Sequence, residues 1–324
     1  MDGVVVVTGA NGHIGNNLCK ELVSHGYRVK GTVRSLDKAP DIKIEFAEAD
    51  VLKPEDWPEI LEGASGLFHL ATIYSTSEDG QLILDTANLG TENVFRAAAA
   101  AGIKRIVYTS SVAAIGSTPK KVFKDESNWN SNFSLPYTRA KTESEKKAWE
   151  LAKELDLDLR VINPSGVLGG SFARPTPSTD IIGDAMKGKY PVVPKIPLAF
   201  VHVEDVATAH RLAYEKDEAS GRYLLAPHQD GNIHDLLKRA RKLYPKMKFP
   251  RFGIPLWMLP IVVFQDWIMG MFTGKRLMTR SAAKSFSNGD SKYSNKKVEE
   301  ELGISWKSFD DMIHDTVSEY NARR

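Results

Sequence analysis

The chain has 324 residues and a single cysteine, Cys19, so no internal disulfide can form and a reducing compartment is the natural setting. Charge of neither sign dominates. Lys and Arg number 43, Asp and Glu 41, and the formal net charge is +2. That balance gives no electrostatic case for a nucleic-acid partner, which calls for a strongly basic face. The eight histidines are scattered without metal-ligand spacing. No metal site is expected, and His202 reads as a packed strand residue. The N-terminal MDGVVVVTG lacks the charged head, long apolar run and small-residue cleavage site of a signal peptide, so the expected location is cytoplasmic. Long hydrophobic runs are also scarce. In residues 254–272 (IPLWMLPIVVFQDWIMGMF) Pro260 breaks the run, and Gln265 and Asp266 sit near its middle. A spanning helix needs about 20 nearly uninterrupted apolar residues. The expectation is a buried or lid-like helix pair; contact with a membrane surface is the alternative.

The composition is that of a soluble globular protein, 42% hydrophobic and 26% charged. The first half alternates two periodicities. Short β-branched runs at 3–8, 28–33, 42–47, 66–70, 105–109 and 159–162 read as strands. Between them, 14–25, 81–101 and 137–155 read as helices. Such alternation implies βαβ crossovers and a parallel sheet covered on both faces. The expected fold is therefore α/β, a Rossmann-type doubly wound parallel sheet with a smaller, mostly helical C-terminal substrate domain. Residues 1–165 would form the sheet domain, with the strand and helix of 199–216 returning to it. Residues 166–198 and 217–324 would form the cap.

Thr8-Gly9-Ala10-Asn11-Gly12-His13-Ile14-Gly15 lies between the first strand and the first helix. In that context Gly9 permits a tight turn, Gly12 lets the backbone approach a pyrophosphate, and Gly15 lets the helix pack against the strand. The helix N-terminus would present unpaired N–H groups to the phosphates. His13 reads as a solvent- or cofactor-facing filler. Sites that select NAD place an acidic residue after the second strand. Here Arg34 stands there, followed by Lys38. A guanidinium suits a 2′-phosphate, so NADP(H) is expected to be preferred, with NAD(H) still possible. Asp50 and Val51, after the third strand, are candidates for the adenine edge; a solvated turn is the alternative.

Tyr137 and Lys141 stand four residues apart on a predicted helix and share a face. A nearby ammonium favours the phenolate and lowers the phenol toward working pH. Tyr137 could then give a proton to a carbonyl oxygen or take one from an alcohol. Lys141 could also hold the ribose. Thr109 closes the fifth strand, and Ser111 follows where sheets of this kind bind ligands. Ser111 could steady the reacting oxygen; Ser110 is its rival.

Together these features resemble the extended short-chain dehydrogenase/reductases over nearly the whole chain. The resemblance favours Ser111, from its position relative to Ile115-Gly116. His69-Leu70-Ala71-Thr72 is similar to the family's fourth-strand exit, which implies cofactor contacts at Leu70, Ala71 and Thr72. Asn88-Leu89-Gly90-Thr91 is similar to a helix motif in which Asn88 organises the active site. Asn163-Pro164-Ser165-Gly166-Val167-Leu168-Gly169 resembles dihydroflavonol reductases, cinnamoyl-CoA reductases and 3β-hydroxysteroid dehydrogenases. It implies that Pro164, Ser165 and Val167 border the nicotinamide. Two departures matter. Ser111 is followed by Val112-Ala113 rather than the Asp-Glu of sugar-nucleotide dehydratases. Val167-Leu168-Gly169-Gly170 replaces the turn common in epimerases. The reading that results is an NADPH-dependent reductase of a ketone or aldehyde on a largely apolar small molecule, monomeric or homodimeric. A sugar-nucleotide epimerase and a non-catalytic cofactor-binding protein of the same fold are the alternatives.

Overall fold

The computed structural model describes residues 3–71, 80–118, 122–190, 192–261, 263–264, 267, 271 and 290–323. Strand β1 (Val4–Thr8) shows how the sheet is built. Val5, Val6 and Val7 are fully buried. Successive side chains point to opposite faces, so Val5 and Val7 enter one core and Val6 enters the other. A sheet covered on both sides needs such uninterrupted apolar strands.

The chain continues through α1 (His13–Ser24), β2 (Arg28–Val33), β3 (Glu45–Glu48), α2 (Trp57–Leu61), β4 (Ala64–His69), α3 (Gly80–Ala100), β5 (Arg105–Thr109), α4 (Pro136–Glu154) and β6 (Asp158–Pro164). It then forms β7 (Gly166–Leu168), α5 (Pro177–Met186), β8 (Val192–Pro194), β9 (Phe200–His202), α6 (Val203–Glu215), β10 (Gly221–Leu225), α7 (Ile233–Leu243), β11 (Phe252–Ile254) and α8 (Phe309–Ala322). Seven parallel strands take the order β10-β6-β5-β4-β1-β2-β3. The chain leaves β1 toward β2 and β3, then returns to β4 on β1's other side. The crossovers after β1 and β4 diverge, which opens a crevice at the strand C-termini.

One core lies between the sheet and helices α1 and α6, through Leu18, Cys19, Leu22, Val206, Ala209 and Ala213. Burial pushes the Cys19 thiol up to about 12, so it packs as an inert apolar group. The other core lies under α3 and α4, through Val94, Phe95, Ala98, Ala148 and Leu151. A third fills the cap, where Ile182 of α5, Leu236 of α7 and Met312 of α8 meet.

The expected cap limits need one correction. Residues 217–324 do not all lie outside the sheet. Strand β10 pairs in register with β6 from Gly221↔Arg160 to Leu225↔Pro164. Val298, Leu302 and Ile304 also pack into the core beneath α1 and α6. Histidine 202 is fully buried, and its Nδ1 accepts the Glu204 N–H at the start of α6.

No helix among the described residues is long and apolar enough to cross a membrane. The 254–272 segment is not buried throughout. Leu259 and Val263 are buried, whereas Trp257, Ile261, Phe264, Trp267 and Met271 are exposed. Its remaining residues 262, 265–266, 268–270 and 272 lie outside the described set.

Candidate active site

The glycine turn after β1 is sterically specified. Gly9 has φ +68°, and a Cβ there would come within 3.2 Å of the Ala71 Cα. Its carbonyl accepts the Gly12 N–H at 2.9 Å, closing the turn. A Cβ on Gly15 would collide with that same Gly9 carbonyl. Gly15 thus packs α1 on its own turn rather than on the strand. A glycine that sequence reading passed over, Gly31 of β2, admits Ala10, whose Cβ a side chain there would meet at 2.8 Å. A glycine inside a strand is the signal that marks such an approach. Gly12 caps α1 in extended conformation without a side-chain hydrogen bond, and no acidic residue occupies the first turn. The helix therefore starts as an open anion seat.

Thr8 locks two strand exits together. Its Oγ1 accepts the N–H groups of Leu70 and Ala71, each at 2.9 Å, and bonds His69 Nδ1 at 3.0 Å. Thr72 lies outside the described residues. His13 is not a solvent-facing filler. It is buried, its Nε2 lies 3.1 Å from the Gly170 carbonyl, and its ring meets Phe172 edge-on. Burial lowers it to about 4, so it stays neutral. Asn16 donates to the Ser171 carbonyl at 2.7 Å, so the first turn of α1 grips the cap. Ile14 packs against the adjoining core.

Arg34 follows β2 directly and is exposed, with no ion pair among the described residues. Lys38 ends the short helical turn Leu36–Lys38, and the Asn11 amide donates to its carbonyl at 3.3 Å. This bond ties the glycine turn to the basic turn. Asp50 spends one carboxylate oxygen on the Leu52 N–H at 2.9 Å. Val51 is buried against Gly90, where a Cβ would come within 2.7 Å of the Val51 Cγ2.

The two serines after β5 differ. Ser111 is half-buried; its Oγ accepts the Ala113 N–H at 3.1 Å and lies 3.5 Å from the Pro164 carbonyl. Ser110 is buried, and its Oγ has no partner among the described residues. Thr109 spends its hydroxyl on His210 Nε2 at 2.7 Å. Tyr137 sits half-buried in the first turn of α4, after Pro136. One turn on, Lys141 is buried and donates to the Thr109 carbonyl at 3.1 Å. Burial pushes this ammonium down to about 8, while Glu145 acts in the opposite direction.

Asn88 Oδ1 and Ser165 Oγ are buried without a partner among the described residues. Val167 pairs with Val201 and packs toward the sheet core. Sequence reading missed Asn163, Glu145 and Arg222, buried polar groups behind Lys141 and Ser111. For Glu145 a signal existed, since it continues the helical face of Tyr137 and Lys141.

A glycine turn, an uncapped helix N-terminus and a Ser, Tyr and Lys set thus share one edge of the sheet. The NAD dependent epimerase/dehydratase family model matches residues 5–226. Cinnamoyl-CoA reductase 1 of Petunia hybrida is 34% identical over 269 residues, covering 76% of this chain and 79% of that one. The bifunctional dihydroflavonol 4-reductase/flavanone 4-reductase of Malus domestica is 30% identical over 274 residues, covering 76% and 78%. The crystal structure of Gre2 from Candida albicans in complex with NADPH aligns with a TM-score of 0.78 at 26% identity, over 99% of each chain. The chain belongs to the NAD dependent epimerase/dehydratase family, among the extended short-chain dehydrogenase/reductases. Within them it falls in the dihydroflavonol-reductase-like subgroup.

Proposed function

We propose that the protein is an NADPH-dependent reductase that interconverts a ketone or aldehyde and an alcohol on a largely apolar small molecule. The observation that carries this reading is the seating of Lys141, buried on the Thr109 carbonyl one turn from Tyr137 and beside the Ser111 loop. Its named relatives are reductases, and one structural relative was solved with NADPH. The apolar character of the substrate rests on Trp257, Phe264, Trp267 and Met271, large apolar side chains left exposed in the cap.

The residues present fit the cofactor. Gly9, Gly12 and Gly15 form a cradle that side chains would fill. Ser165 Oγ and Asn88 Oδ1 are buried polar atoms awaiting partners. The turn at 8–15 would hold the pyrophosphate, Arg34 and Lys38 the 2′-phosphate, and Lys141 the ribose. When bound, the reduced nicotinamide supplies a hydride to the carbonyl carbon. Tyr137 gives its phenolic proton to the carbonyl oxygen. Lys141 favours the resulting phenolate, and Ser111 donates a hydrogen bond to the oxygen as charge develops there.

The test is a panel of aldehydes and ketones incubated with the purified protein, following absorbance of the reduced nicotinamide. Oxidation of NADPH by an apolar carbonyl, with higher kcat/KM than for NADH, is expected. Isomerisation of a sugar nucleotide without net cofactor consumption would overturn the reading in favour of an epimerase. Cofactor binding without turnover across the panel would also overturn it.

A further inference from the structure

We propose that Glu145 is a positioning residue for this site: its buried carboxylate is the counter-charge behind Lys141 and, through Asn163, anchors the backbone that carries Ser111. The proposal deepens the reductase reading and rests on it for the roles of Lys141 and Ser111.

The geometry joins three elements at one carboxylate. Glu145 lies one turn beyond Lys141 on α4 and is fully buried. Its Oε2 accepts from the Asn163 amide nitrogen at 2.8 Å. The same nitrogen donates to the Ser111 carbonyl at 3.2 Å. On the other side, Glu145 Oε1 lies 2.5 Å from Arg222 Nε on β10. The Arg222 guanidinium reaches the carbonyls of Glu126 and Asn128, at 2.9 and 2.7 Å, and lies 3.9 Å from the Trp129 ring. That loop leads into the start of α4, where Tyr137 sits. The ends of β5 and β6, the edge strand β10 and the approach to Tyr137 are thereby tied to a single side chain.

The charges make the tie directional. Lys141 and Arg222 are cations only 4% and 6% exposed, and Glu145 is the buried anion between their elements. Lys141 also faces the Thr109 carbonyl from β5, His69 from β4, and Tyr137 on its own helix. His69 is held neutral by burial and by Lys141, so it offers no counter-charge. Among these groups Glu145 is the one that keeps Lys141 protonated against its burial.

A merely structural Glu145 would matter only as the partner of Arg222. Two variants separate the roles: Glu145→Gln, and the double variant Glu145→Gln with Arg222→Met. Removing the pair together avoids leaving the Arg222 guanidinium buried without its carboxylate, so the double variant regains part of the thermal stability lost in the single one. Lys141 titration is read by NMR of lysine labelled at Cε and Nζ, on cofactor-free protein. In both variants it is expected to fall by about one pH unit or more. The alkaline limb of kcat/KM for carbonyl reduction moves down with it. An unchanged Lys141 titration in either folded variant, or a parental pH profile in the double variant, would overturn the proposal. Failure of the reductase reading shows instead as absent turnover in the parent, with the NMR shift still readable.

Discussion

The two edges of the central sheet treat polar groups in opposite ways. At the strand N-termini they use one another up. Arg105 pairs with Asp158 and Asp217 and donates to the Tyr214 carbonyl. Arg160 pairs with Asp158 and donates to the carbonyls of Ala213 and Lys216 at the end of α6, where cations suit the helix dipole. Tyr27 bonds Glu215, and Arg211 bonds Glu21 and Glu215. Around the strand C-termini, Ser110 Oγ, Ser165 Oγ, Asn163 Oδ1 and Asn88 Oδ1 are buried without partners among the described residues. Each such atom costs about 1–3 kcal/mol. The saturated edge is built for stability, and the unsaturated one leaves bonding capacity for a ligand.

Substitutions that trade one edge against the other can break this contrast. Arg160→Met leaves the Ala213 and Lys216 carbonyls at the end of α6 without their donor, while Asp158 keeps Arg105, and should cost about 1–3 kcal/mol for each carbonyl in denaturant unfolding. Cofactor affinity of the folded fraction should not change; a weak stability effect with weakened cofactor binding would reverse the assignment of the edges. Lys141→Met should do the opposite, removing a buried charge held down to about 8. It should raise stability at pH 7 by about 2 kcal/mol, net of the lost hydrogen bond, while abolishing turnover. A drop in melting temperature would count against it.

Acid should strike the site edge. Burial lowers His13 and His210 to about 4 and His69 to about 3. All three are neutral when folded but protonate near pH 6.5 when unfolded. Their stabilising share is full above that pH and falls as the pH drops toward 4, at about 1.4 kcal/mol per group per pH unit. Unfolding curves that coincide at pH 7 and pH 5 would refute this. The smallest effect belongs to the exposed Arg34. Arg34→Ser should weaken NADPH about tenfold and leave NADH nearly unchanged. Equal losses for both would place the guanidinium elsewhere.

What could be read from sequence was local. The valines of β1, the glycine turn and the start of α1 are contiguous, so strand, turn and helix signals reinforce one another. Tyr137 and Lys141 share a helical face, and family resemblance separated Ser111 from Ser110. What escaped was long-range. Strand β10 shows its role only when Arg222 lies against Val161. His13 looked like loop filler because its partners, Gly170 and Phe172, lie far along the chain. Strand β3 runs from Glu45 to Glu48 rather than 42–47, since Ile42 and Ile44 pack against the core from the preceding bend. Segment 254–272 divides its apolar residues between buried and exposed positions, which composition alone does not reveal.

The central claim is that Tyr137 moves the proton at an edge whose binding groups are otherwise intact. Tyr137→Phe removes one oxygen, so NADPH affinity and turnover should be measured side by side in parent and variant. Unchanged affinity with a loss of about a thousand-fold in kcat is the predicted result. Turnover within tenfold of the parent, at equal cofactor affinity, would contradict the account.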